Sequence, residues 1–171
     1  QIEELARSFR VITFDPRGVS RSFLKSTTPV SIAAIADDVS ALLDHLGIAR
    51  ANIAGTSFGG FVAQEFALRH PERTEKLILA CTSFGGPGHI APAPEVMAAF
   101  SAHGDLNSAD RISKYMRPAF TGEFLAADPQ TVEEVCRLRE QNPVPESVYL
   151  QQLVAATTFE AESRCSAINA E

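Results

Sequence analysis

The sequence predicts an α/β architecture: parallel strands with flanking helices, followed by a run of helices alone. Three observations carry this prediction. Short β-rich apolar runs alternate with helical patterns as far as Thr82, a Gly-x-Ser-x-Gly pentapeptide joins one of those runs to a helix, and beyond residue 83 only helical patterns recur.

Taking the elements in order, residues 1–9 place Ile2, Leu5, Ala6 and Phe9 on one face of a helix. Val11-Ile12-Thr13-Phe14 is β-rich and ends at Asp15-Pro16-Arg17-Gly18, where proline and glycine enforce a turn, so it reads as a buried strand. A loop runs on to about Val30. Ile32, Ile35, Ala36, Val39, Leu42, Leu43 and Leu46 then recur at helical spacing, with Ser31 as N-cap and Gly47 as the stop. Asn52-Ile53-Ala54 is a second strand running into a turn at Ser57, and the helix after it extends to about His70, where Pro71 ends it. Lys76-Leu77-Ile78-Leu79-Ala80-Cys81 is the third strand. Strands separated by helices imply right-handed crossovers and a parallel sheet. The stretch 83–94 is rich in glycine and proline, and helices are expected after it near 95–102, 108–116, 129–139 and 145–156, the third opened by Asp128-Pro129 and the fourth by Pro145. Two units follow: a core over 1–83 and a helical region over 84–171.

Composition narrows the function. In 171 residues, 45% are hydrophobic and 21% charged, which suits one packed core. A net charge of -6 without blocks of like charge gives no nucleic-acid footprint, and no apolar run approaches the roughly 18 residues of a membrane span. Cys81, Cys136 and Cys165 are odd in number and far apart, against a disulfide framework or zinc site and in favour of a reducing, cytoplasmic setting. No metal or cofactor is expected, and the partner is a small-molecule substrate. The chain opens at Gln1 within a helical pattern, so further residues are expected upstream, and any signal peptide with them.

The chemistry centres on Gly55-Thr56-Ser57-Phe58-Gly59. A pentapeptide of this form arises by chance in roughly one chain in twenty of this length, so its flanks carry the argument: a strand before it and a helix after it. A serine hydroxyl attacks well only when a base takes its proton and donors stabilise the resulting oxyanion. Gly55 and Gly59 would let the backbone fold tightly enough to expose the Ser57 hydroxyl, and the Phe58 N–H at the helix start would face the oxyanion. The bland alternative, an N-cap serine, needs neither flanking glycines nor the strand before it. Small residues at Gly59, Gly60, Ala63 and Ala67 would let the helix lie close on the sheet.

In these features the chain resembles the α/β-hydrolase superfamily, and a partial α/β-hydrolase fold is expected. The likeness runs from Arg10 to Thr82: the first strand, the loop 15–22 resembling the family's D-x-R-G-x-G-x-S with Ser20 in place of its second glycine, the Asp37-Asp38-Val39 helix, the nucleophile elbow and the strand Leu77-Ile78-Leu79. It implies that Ser57 is the nucleophile, that the helical region is a lid over the active site, and that an acid and then a histidine follow the lid. It also implies a further strand between the first two seen here, leaving a gap of about 10 Å. The chain ends at Glu171 without those partners, so it reads as the central part of a longer enzyme, with little triad-dependent turnover of its own.

Among histidines within the chain, His45, His70 and His103 read as structural or solvated. His89, after Gly85-Gly86-Pro87-Gly88, reads as a pocket-lining group rather than a base. Asp15 and Arg17 read as turn-holding charges, and Asp37 and Asp38 as helix-surface charges. The function expected is hydrolysis of a small, fairly apolar carboxylic ester or lactone. Two alternatives stay open: a non-catalytic scaffold binding a small ligand, and a carbon–carbon bond hydrolase using the same serine framework.

Overall fold

A computed structural model of the chain describes residues 2–23, 30–101, 120–142 and 144–170. The helix expected over 108–116, together with His103, lies outside them. No helix among the described residues is long and apolar enough to cross a membrane.

The order of elements is α1 (Ile2–Leu5), α2 (Ile32–His45), β1 (Ala51–Thr56), α3 (Phe58–Arg69), β2 (Thr74–Ala80), α4 (Pro94–Ser101), α5 (Gly122–Ala127), α6 (Pro129–Gln141) and α7 (Glu146–Thr157). Short 3-10 turns cover Pro71–Arg73 and Glu162–Ala167. β1 and β2 pair in parallel, with Ile53 opposite Leu77, Gly55 opposite Leu79 and Thr56 opposite Ala80, after an irregularity between Ala51 and Ile53. α3 is the crossover between them, as the alternating pattern requires.

α2 follows its sequence signals closely. The Ser31 side chain accepts a hydrogen bond from the Ala34 N–H, and Gly47 adopts φ 66° just past the helix, a left-handed conformation that terminates it without side-chain penalty. α5 was not expected; its cap is local, the Thr121 hydroxyl accepting from the Phe124 N–H. The first expected strand is not formed. Residues 11–14 run irregularly, Ile12 and Phe14 are exposed, and among the described residues no ladder reaches them. β-propensity reports how a residue fits a paired, half-buried surface, so a run without a paired neighbour is extended chain rather than strand.

Two apolar clusters hold the elements together. One joins Ile32 and Ile35 of α2, Val62 of α3, Val148 and Ala155 of α7, and Phe159, with Phe58 and Phe61 packed against it. The second gathers Ala36, Leu43 and Phe66 beneath Ala51 and Ile53 of β1.

Charged residues fasten α2 to its surroundings. Arg17 forks onto Asp38 with two bonds of 2.7 Å and also reaches the Ala34 carbonyl, so it ties the loop to the helix rather than closing a turn; Asp15 is exposed. Asp37 accepts a bidentate pair from Arg69 at 2.8 and 2.9 Å and contacts His70 at 3.2 Å, joining α2 to the end of α3. Both aspartates are therefore tertiary ties and not merely surface charges.

The Arg69 hydrogen bonds, aided by His70, hold the Asp37 carboxyl below its ordinary range. A depressed folded-state pKa adds stability that is present above the unfolded value and lost as the pH falls through the folded one. Because the pair is half exposed, Asp37→Asn should cost at most about 1 kcal/mol near neutrality. The difference from wild type should vanish in strong acid, as urea midpoints measured across pH would show.

Candidate active site

β1 ends at Thr56 and α3 begins at Phe58, leaving Ser57 alone to make the turn. Its backbone sits at φ 53°, ψ -120°. That matches the first central position of a type II′ turn, which glycine normally fills because a β-carbon is crowded there. The strain is held by neighbours: the Ser57 N–H donates to the Ala80 carbonyl at 2.9 Å, its carbonyl accepts from the Gly60 N–H at 2.8 Å, and the Thr82 hydroxyl donates to the same carbonyl at 2.9 Å. The side chain is exposed and makes no capping bond to α3. An ordinary N-cap serine would have extended backbone and would use its hydroxyl on the helix; this one does neither.

The glycines divide the steric work differently from the pattern expected. A β-carbon at Gly55 would press into the Gly59 carbonyl and stand 2.8 Å from the Ala63 β-carbon, and one at Gly60 would run into Thr82. At Gly59 it would meet nothing within 4 Å. Close packing therefore rests on Gly55 and Gly60, with Ala63 and Ala67 buried behind them. The Phe58 and Gly59 N–H groups, first in α3, have no acceptor within the helix and follow Ser57 directly in the chain. The positive end of the helix dipole adds to their pull on an anion.

The loop 15–22 explains its own departure from the family pattern. Ser20, in place of a glycine, adopts φ 49°, so the left-handed conformation persists with a non-glycine residue.

His89 is half-buried on the loop leaving β2, and its Nδ1 donates to the Gly86 carbonyl at 2.6 Å. A carbonyl can only accept, so Nδ1 carries a proton in this contact. Together with Phe61, Ser83 and Phe159, His89 lines a cavity of about 230 Å³ that Ser57 does not line. The loop is cinched from the far side: the Gly88 N–H donates to Glu162 at 2.7 Å, the Ala161 N–H donates to the Phe84 carbonyl at 2.8 Å, and Gly85 bridges Glu160. Buried Glu65 of α3 pairs with Arg164 at 3.0 Å. None of these ties was anticipated, since contacts between residues 74 or more positions apart leave no periodic trace.

An α/β-hydrolase fold family model matches residues 1–147. The chain belongs to the α/β-hydrolase fold family. Among curated relatives, the proposed carbamate hydrolase RutD of Caulobacter sp. (strain K31) is 32% identical over 137 residues, covering 78% of this chain and 49% of that protein. The chain thus spans about half the length of that relative. Among solved structures, the enol-lactonase of Burkholderia xenovorans LB400 superposes with a TM-score of 0.76 at 25% identity, covering 99% of this chain and 63% of the other. A thermophilic esterase from Thermogutta terrifontis gives a TM-score of 0.73 at 26% identity, covering 98% and 61%.

Proposed function

We propose that the protein is a cofactor-independent serine hydrolase that cleaves a small, fairly apolar carboxylic ester or lactone. The observation that carries this reading is the exposed Ser57 hydroxyl, uncommitted to the helix and held at φ 53° beside the first N–H groups of α3. In the reaction, the Ser57 Oγ attacks the carbonyl carbon and the new oxyanion takes a hydrogen bond from the Phe58 N–H. Collapse of the tetrahedral intermediate expels the alcohol, or opens the lactone, leaving an acyl group on Ser57 that water then removes. A histidine and an acid of the full-length protein move the proton. The helices from α4 onward serve as the lid, and His89 lines the neighbouring cavity on the loop leaving β2.

The similar enol-lactonase and esterase structures support the substrate class, and carbamate hydrolysis, named for the curated relative, also begins with attack on an acyl carbon. Serine at the elbow favours acyl transfer over displacement through a carboxylate. The test is covalent labelling of the full-length protein by a fluorophosphonate, with the adduct located by peptide mass spectrometry. Modification at Ser57, lost in Ser57→Ala, is the expected result. An unmodified Ser57 at concentrations that label known serine hydrolases would refute the reading.

A further inference from the structure

Gln64 lies in the second turn of α3, where a helix packed on a sheet ordinarily carries an apolar side chain, and only 3% of it is exposed. Its Nε2 donates to the Gly60 carbonyl at 3.0 Å and to the Ser83 carbonyl at 2.8 Å. Both acceptors are carbonyls, so the amide nitrogen, and not its oxygen, must face them. The bridge closes a circuit around the elbow. Ser57 is bonded to Gly60, Gly60 to Gln64, Gln64 to Ser83, and Thr82, the residue before Ser83, returns to the Ser57 carbonyl. Gly60 completes it sterically, having no room for a side chain against Thr82.

A strained φ persists only where the surroundings over-determine it. Two side chains of this circuit join the elbow to the segment leaving β2: the Thr82 hydroxyl reaches Ser57, and the buried Gln64 amide spans Gly60 of the elbow helix and Ser83. We propose that Gln64 is a positioning residue of the hydrolase: by tying Ser83 to Gly60 it holds Ser57 in its positive-φ conformation. This rests on the reading of Ser57 as the nucleophile and adds to it a residue that touches no substrate.

The experiment compares the rate of fluorophosphonate labelling at Ser57 in full-length wild type, Gln64→Met and Gln64→Glu, each normalised to its folded fraction. Methionine keeps the length and shape of glutamine but donates nothing, so labelling should slow on the order of tenfold, the worth of one to two net hydrogen bonds. Glutamate is repelled by both carbonyls when ionised, yet when protonated it regains one O–H donor. Burial raises its pKa, so the ratio of Gln64→Glu to wild type should climb as the pH falls, while the Gln64→Met ratio stays flat. Glu65, Arg69 and His70 of α3, Arg164 paired with Glu65, and Cys81 and His89 after β2 are common to all three proteins and cancel in the ratio.

A folded Gln64→Met that labels within about twofold of wild type, or a Gln64→Glu ratio that does not change with pH, would overturn the proposal. If Gln64→Met does not fold, the Gln64→Glu ratio decides alone. Failure of wild type itself to label, with Ser57→Ala identical to it, would instead bring down the nucleophile assignment and this proposal with it.

Discussion

Alanine and glycine at position 57 should be equally inactive but not equally stable. On the proposed mechanism the hydroxyl is the nucleophile of an interdependent triad, so either substitution in the full-length protein should lower kcat by about 10⁴- to 10⁶-fold. KM for the ester should change little, since the side chain is small and makes no capping bond to α3. Stability should separate the two variants. At φ 53°, ψ -120°, alanine keeps the crowding that serine suffers, whereas glycine relieves about 1–3 kcal/mol of it. Glycine also loosens the unfolded chain by about 0.4–1 kcal/mol, so Ser57→Gly should exceed Ser57→Ala by about 1 kcal/mol. Steady-state hydrolysis of a short p-nitrophenyl ester and urea titration of both variants check the two halves independently. A glycine variant no more stable than the alanine one would mean that the elbow stores no strain. An alanine variant retaining more than a hundredth of the turnover would mean that chemistry passes elsewhere.

That expectation draws on what the sequence makes legible. The turn at Ser57, the helices on either side of it and the strand after it are each encoded within about fifteen residues: apolar residues at helical spacing, a serine cap at Ser31, a glycine stop at Gly47, a proline stop at Pro71. The devices that hold the turn join it to residues of a separate segment. Thr82 and Gln64 reach the elbow from 25 residues along the chain and from the next helical turn. Neither residue type declares a partner. The Asp37 tie to Arg69 and the Glu65 tie to Arg164 look in the sequence like ordinary charges on helix faces. The run at 11–14 shows the converse. Its residue types favour a strand, but strand formation needs a neighbour's hydrogen-bonding groups, which no single segment's composition supplies.

Phe66 should be the costliest apolar residue to truncate. It is fully buried where α2, α3 and β1 meet, with Ala36, Leu43, Val39, Ile48, Ala51 and Ile53 around it. It also belongs to the helix whose first turn frames Ser57, so its anchoring bears on the elbow as well as on the core. Phe66→Ala removes the ring and leaves a cavity that two helices and a strand cannot collapse without sliding, a loss of about 3–5 kcal/mol. Against a typical total of about 5–15 kcal/mol, that is a large fraction. Phe23, which is 84% exposed, is the matched control, and its replacement by alanine should change stability by less than about 0.5 kcal/mol. Urea titrations should show the Phe66→Ala midpoint falling with the slope unchanged, because the same surface is exposed on unfolding. Were the two phenylalanine variants to lose stability equally, the packing of α2 and α3 beneath β1 would not be what carries the helix of the elbow.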